Sequence, residues 1–305
     1  MEIRVLRYFV EIAKEGNMTR AAKNLHVSQS ALSKQMKELE DELERPLFTR
    51  TKSGLSLTEA GALLHKRAED ILNMVDKTTD EFASLDTVRG GNIRIGCAES
   101  YLIKYLARTI KEFRKTYPLF HFHVSNGDTE QLEERLDKGL LDFAVIVEPP
   151  DSTKYKYLAF PGTDRWGLVM RKDHPLAKKE HITLADLSNI DLICSTQGIK
   201  GDLPAWSNDK SHKLRFIGTG DQIFNSAVSV REGLGCLLTF EYLANTSEES
   251  GLVFRPLEPP LEVKMYIIWK KVQTFTPIAD QFRKKLIETY GPEPEDTGEE
   301  PTKEP

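Results

Sequence analysis

A helix with two chemically different faces most limits how this chain folds. Leu32, Met36, Leu39 and Leu43 share one stripe, clustered within roughly 60° of arc at about 100° per residue. Gln29, Ser30, Ser33, Lys34 and Lys37 occupy a second arc about 120° away. Ser28 stands where an N-cap belongs. One face needs burial, and the other is left to water or a partner. Burial partners lie just upstream: Leu6, Phe9, Val10 and Ala13 repeat at helical spacing. Gly16 ends that helix and Asn17 caps a short second one, Thr19–His26, with Ala22 and Leu25 inward. Val27 packs the tight turn that follows. Short helix, turn and capped polar-faced helix form a helix-turn-helix arrangement.

The polar face offers amide, hydroxyl and ammonium groups suited to base edges in a major groove, and a helix N-terminus suits phosphate. The acids Glu38, Glu40, Asp41, Glu42 and Glu44 keep to the C-terminal half of the helix. Leu47-Phe48 and Leu55-x-Leu57 flank a turn ending in Gly54, which reads as a β-hairpin wing. Arg50 and Lys52 at its tip reach for phosphate or a minor groove. The candidate DNA-binding set is therefore Thr19, Gln29, Ser30, Ser33, Lys34, Lys37, Arg50 and Lys52. The bland alternative is a solvated helical hairpin with a charged tip.

A net charge of −5, taken alone, disfavours a nucleic-acid partner, but its distribution removes the objection. Residues 1–58 hold ten Lys/Arg against eight Asp/Glu, whereas residues 291–305 hold six acids against Lys303 alone. That tail has four prolines and no apolar side chain, so it is expected to be disordered. At 305 residues, two or three domains are expected. No apolar run approaches the roughly 18 residues of a membrane span, and no secretory signal is evident, so a cytoplasmic location is expected. Cys97, Cys194 and Cys236 have neither disulfide nor metal spacing. They read as small buried hydrophobes, with a thiol sensor as the alternative. His121-x-His123 lacks a third ligand nearby. No metal, cofactor or catalytic constellation is expected, and the chain does not read as an enzyme.

Four quoted stretches resemble the N-terminal domain of LysR-type transcriptional regulators. They are residues 21–35 (AAKNLHVSQSALSKQ), Leu39-Glu40, Pro46-Leu47-Phe48-x-Arg50 and Leu57-Thr58-Glu59-Ala60-Gly61. The match is ungapped over residues 1–61. It implies a winged helix-turn-helix, a long linker helix and a two-lobed effector domain, usually in tetramers on two operator sub-sites. Thr58 caps the expected linker helix. Leu64, Ala68, Ile71, Val75, Thr78, Phe82 and Leu85 step by four and three along it, a heptad seam that favours dimerisation over packing within the chain. Gly90-Gly91 is a candidate hinge.

From Asn92 the pattern alternates strand and helix, Asn92–Gly96, a helix from Ser100, Phe120–Val124, Thr129–Lys138 and Asp142–Val147, which implies a parallel sheet. Further strands are read at Trp166–Met170, Leu192–Cys194, Arg215–Gly218, Cys236–Thr239 and Met265–Trp269, with helices Gln222–Glu232 and Ile278–Tyr290. The resemblance continues through Asn92-Ile93-Arg94-Ile95-Gly96, Leu141-Asp142-x-Ala144-Val145 and Gly233-Leu234-Gly235. It implies two Rossmann-like lobes, similar to a type 2 periplasmic binding protein, with an effector between them.

The fold class is thus α/β: a winged helix-turn-helix domain (1–58), a linker and dimerisation helix (59–89) and an effector domain (90–290), before the tail. Lobe I takes about 92–160 and 268–290, and lobe II about 161–267. Ligands in such sheets sit beyond strand carboxyl ends, which marks residues 97–100, 126–129, 147–149, 195–197, 219–221 and 238–239. Candidate effector residues in lobe I are Ala98, Glu99, Ser100, Asp128, Thr129 and Val147. Those in lobe II are Ser195, Thr196, Gln197, Thr219, Gly220 and Thr239. The resemblance assigns effector-touching hydroxyls to Ser100 and Thr129. Helix starts there would favour a carboxylate effector, with Glu99 arguing the other way. The expected partners are double-stranded operator DNA, a small-molecule effector, further copies in a homodimer or homotetramer, and RNA polymerase as a further candidate. The alternative function is a solute-binding or transferase-type two-lobed protein with an N-terminal oligomerisation module.

Overall fold

The computed structural model describes residues 1–51, 54–84, 90–147, 149–208 and 213–291. The chain divides into two compact units, Met1–Ala83 and Ser84–Pro305.

In the first unit, α1 (Ile3–Glu15) buries Val5, Leu6, Phe9 and Ile12. Val10 and Ala13, expected inside, sit half-buried beside that stripe, because Val5 and Ile12 hold its centre. Gly16 ends the helix at φ 58, a left-handed conformation that suits glycine. Asn17 Oδ1 then accepts from the Thr19 and Arg20 amides at 2.9 and 3.1 Å, capping α2 (Met18–Asn24). That helix stops before His26, which has φ 55, and the Val27 amide returns to the Ala22 carbonyl at 3.0 Å. Ser28 Oγ accepts from the Ala31 amide at 3.2 Å and starts α3 (Gln29–Glu42). Leu32, Met36 and Leu39 are buried, whereas Leu43 at the C-cap is exposed, a departure from the expected four-residue stripe.

The wing is β1 (Phe48–Thr51) against β2 (Gly54–Leu57), antiparallel, with Phe48 opposite Leu57. It is pinned at both ends. Leu55 donates its amide to the Gly16 carbonyl at 2.8 Å. Glu40 Oε1 accepts from the Leu47 amide at 2.6 Å and the Phe48 amide at 3.3 Å. The Gly61 amide donates to Thr58 Oγ1 at 3.0 Å and opens α4 (Glu59–Ser84). Ala68 and Leu72 join the buried core of this unit, with Leu64 packed against it. The expected seam is therefore split: its N-terminal members serve their own domain, while Ile71 and Phe82 are exposed. Val75 is half-buried, Thr78 is exposed and Leu85 lies outside the described residues.

The second unit runs through β3 (Gly90–Cys97), α5 (Ile103–Thr116), β4 (Leu119–Asn126), α6 (Thr129–Asp137), β5 (Phe143–Ile146) and β6 (Tyr155–Ala159). It continues with β7 (Asp164–Arg171), β8 (Ile182–Thr183), α7 (Leu184–Leu187), β9 (Asp191–Cys194), α8 (Thr196–Lys200) and α9 (Asp202–Trp206). Then come β10 (Arg215–Thr219), α10 (Ile223–Arg231), β11 (Cys236–Phe240), β12 (Leu252–Glu258), β13 (Glu262–Val263), β14 (Tyr266–Lys270) and α11 (Pro277–Tyr290). One sheet has the order β4-β3-β5-β14-β6, and the other β10-β9-β11-β7-β12-β8 with β13 beside β7. The chain leaves the first sheet after β6 and returns at β14, so each sheet forms one lobe. In the first, β3 is parallel to β4 and β5, while β14 is antiparallel to its neighbours.

Phe282 of α11 anchors this core, its ring 5.1 Å from Phe113, 5.8 Å from Phe120 and 5.6 Å from Phe143. A Cβ on Gly96 would lie 2.5 Å from Leu132 and 2.6 Å from Leu141, so glycine lets α6 close on the sheet. Gly90 and Gly91 pair with Leu119 and Phe120 inside β3, so they act as strand residues and not as the expected hinge. Of the expected acidic tail, only Gly291 is among the described residues.

Candidate functional site

Two places gather the candidate residues. On the first unit, Thr19, Gln29, Ser30, Ser33, Lys34, Lys37 and Arg50 are all exposed, while Lys52 lies outside the described residues. The inward stripe of α3 leaves its other face to solvent, and the Asn17 cap leaves the Thr19 side chain outside. Lys34 stands 3.7 Å from Glu38, an exposed i,i+4 pair worth a few tenths of a kcal/mol and readily exchanged for a phosphate. Arg20, an exposed base beside Thr19, is held by Glu15 at 3.1 Å.

In the second unit a cavity of about 240 Å³ lies between the lobes, where strand carboxyl ends meet helix starts. Ala98, Glu99, Asp128 and Val147 line it from lobe I, and Ser195, Gln197 and Thr239 from lobe II. The sequence did not point to the walls supplied by Trp166, Phe240, Leu243 and Ile223. Nor did it point to the polar groups of Gln131, Asp202 and Gln222. Asn126, Asp221 and Leu238, marked by their strand-end positions, do line the cavity. No local pattern pointed to Trp166 or Phe240.

Five expected residues are not on the wall. Ser100 is buried, donates its hydroxyl to Asp164 Oδ2 and accepts from the Leu102 amide at 2.8 Å. α5 begins at Ile103, three residues later than expected. Thr129 instead ties the lobes together: its amide donates to Gln197 Oε1 at 3.1 Å, and Gln197 Nε2 donates to its hydroxyl at 3.0 Å. Thr196 turns its amide toward Asp221 Oδ1 at 3.4 Å. Gly220 packs beside Ser226, where a Cβ would lie 2.2 Å from the hydroxyl oxygen, and Thr219 is exposed at the end of β10.

Glu99 also spans the lobes. Its Oε2 accepts from the Ile223 amide, at the start of α10, at 3.0 Å. Asp128 caps α6 by accepting from the Gln131 amide at 2.8 Å, and Ser195 caps α8 by accepting from the Gly198 amide at 3.1 Å. The free, positive helix ends that favoured a carboxylate effector are thus already met by the chain's own oxygens.

Burial alters several ionisable groups of the second unit. Desolvation raises the Asp164 carboxyl above its ordinary value, with the Ser100 hydrogen bond opposing it. Burial pushes the Cys97 and Cys194 thiols up to about 12 and Cys236 to about 11. His121 and His123 are exposed on β4, and no group of three or more metal-binding side chains gathers among the described residues. No helix among them is long and apolar enough to cross a membrane.

Comparison with known proteins agrees with this two-part architecture. Residues 3–62 match the family described as bacterial regulatory helix-turn-helix protein, lysR family, and residues 87–291 match the LysR substrate binding domain. The Hca operon transcriptional activator HcaR of Escherichia coli K12 is 29% identical over 276 residues, covering 89% of this chain and 92% of that protein. The uncharacterized HTH-type transcriptional regulator YvbU of Bacillus subtilis 168 is 26% identical over 295 residues, covering 96% and 100%. The crystal structure of CbnR, a LysR family transcriptional regulator, superposes with a TM-score of 0.72 at 20% identity, covering 95% of this chain and 99% of that one. The two matched domains define the class, a DNA-binding transcriptional regulator with an effector-binding domain. The chain belongs to the LysR family, and the solute-binding or transferase alternative is set aside.

Proposed function

We propose that this regulator reads operator DNA with the outer face of α3 and answers to a small molecule held between its two lobes. The observation that carries this reading is the exposed row Gln29, Ser30, Ser33, Lys34 and Lys37 on a helix whose opposite face is buried. In this proposal Gln29, Ser30 and Ser33 address base edges, while Thr19, Lys34, Lys37, Arg50 and Lys52 address phosphates. The role is regulatory and not catalytic, in line with relatives named as transcriptional regulators. The protein works in the cytoplasm as a homo-oligomer, since two reading heads double the phosphate and base contacts. Exposed Ile71 and Phe82 on α4 support a self-contact there. The cavity, bridged by Thr129–Gln197 and Glu99–Ile223, is the effector pocket, and a change in lobe closure transmits ligand binding.

The test is fluorescence anisotropy with duplex DNA from upstream of the protein's own gene, titrated across salt concentrations. Binding should fall steeply with salt, and Arg50→Ala should lower the log–log slope by about one. An unchanged slope would remove the wing from the interface.

A further inference from the structure

We infer that the interlobe cleft selects a small cation with an apolar body, an ammonium or guanidinium on a hydrocarbon or aromatic frame, and that Glu99 is the carboxylate that receives it. This rests on the cleft being the effector pocket.

The first ground is the state of the helix starts. A carboxylate ligand is drawn to such ends by unsatisfied amides and a positive dipole end. Here α10 already receives an anion from within: Glu99, carried by lobe I, accepts from the Ile223 amide of lobe II at 3.0 Å. Asp128 does the same for α6 at the Gln131 amide, and Gln197 Oε1 takes the Thr129 amide. An anionic ligand would have to displace tethered acceptors and then stand beside their charges.

The second ground is the lining. Glu99, Asp128, Asp202 and Asp221 are among the residues lining the cavity, and no Lys, Arg or His is among its described lining residues. No lining residue described there would neutralise an incoming anion, whereas a cation gains from the acids. A carboxylate has about four acceptor positions, and the Ile223 amide uses one of those on Glu99. Capacity therefore remains for an N–H donor from a ligand.

The third ground is independent of charge. Trp166 and Phe240 form an edge-to-face pair, 4.8 Å between centroids at 76°, and Leu238, Leu243 and Val147 extend the apolar wall. Such a wall takes a hydrocarbon frame, and aromatic faces attract a desolvated cation. The pocket thus combines carboxylate-bearing residues with an apolar, aromatic wall, and Asp202 meets that wall where its Oδ2 accepts from Trp166 Nε1 at 3.2 Å, a mixture that suits an amine with an apolar body.

The experiment uses the full-length protein and thermal melts, with benzylammonium, agmatine and benzoate as chloride or sodium salts at matched ionic strength. At least one of the two cations should raise the wild-type melting temperature in a saturable way, and benzoate should not. Glu99→Gln should weaken that saturation at least tenfold. In Glu99→Ala, acetate should raise the melting temperature by refilling the start of α10, with no such effect on wild type. A wild-type protein stabilised by benzoate, one indifferent to both cations, or a Glu99→Ala variant indifferent to acetate would each overturn the inference. Operator binding is measured on the same samples. Its absence would count against the regulatory reading, while the melting shifts alone decide the charge of the ligand.

Discussion

Ser100 and Asp164 form a buried couple, and its chemistry differs from that of a ligand contact. The Asp164 carboxyl is held above its ordinary value by desolvation, so its ionised form is disfavoured in the fold. A raised folded pKa contributes stability below the unfolded value, and that contribution is lost as pH rises through the folded one. At neutral pH the Ser100 hydroxyl therefore offsets part of an unfavourable charge. Ser100→Ala should destabilise the effector domain by about 1.5–3 kcal/mol at pH 7, and by less at pH 4, where Asp164 carries more proton. Urea unfolding at the two pH values checks this. An effector response lost without any loss of stability would return Ser100 to the pocket. The cysteines obey the same sign. With thiols pushed to about 11 or 12, the reactive thiolate is scarce at pH 8, and their stabilising contribution fades only above about pH 9. A thiol-reactive disulfide reagent should label Cys97, Cys194 and Cys236 slowly in the native protein and promptly in urea. Prompt native labelling would favour a redox role.

Among the elements, α4 shows where periodicity stops being informative. Its four-three steps suit a partner helix, yet Ala68 and Leu72 are buried in their own domain. Leu72→Ala should therefore cost about 2–5 kcal/mol of domain stability with the oligomer intact. Phe82→Asp should dissociate the oligomer with little loss of stability, because Phe82 is 70% exposed. Light scattering beside thermal melts separates the two, and an unchanged mass for Phe82→Asp would refute the self-contact. Features set by neighbours in sequence were legible: the caps of Asn17, Ser28 and Thr58 act within three residues. Strand β5 was legible as the apolar run Phe143–Ile146, and β3 and β4 as Ile and Phe alternating with Arg and His. Strand β12 was not, since it contains Pro256 and lacks alternation, and β8 and β13 have only two residues each. The direction of the Ser100 hydroxyl was hidden because its partner lies 64 positions away. Trp166 and Phe240 looked like ordinary strand residues until the sheet brought them to one wall.

For the whole molecule, the cleft and the reading face are separate pieces of chemistry, one in each unit. The lobes are bridged by Thr129–Gln197 and Glu99–Ile223. Gln197→Ala should loosen the cleft, leaving faster amide exchange in α6 and α8 while exchange in β3 and β5 stays slow. Equal protection in both proteins would show that the bridge does not hold the lobes. The central claim concerns the outer face of α3, and selection from a randomised duplex pool tests it most directly. The wild-type protein should enrich a motif of two related half-sites. Gln29→Ala should enrich the same spacing with about one position per half-site relaxed. An identical motif from wild type and Gln29→Ala, or no enrichment at all, would contradict the account.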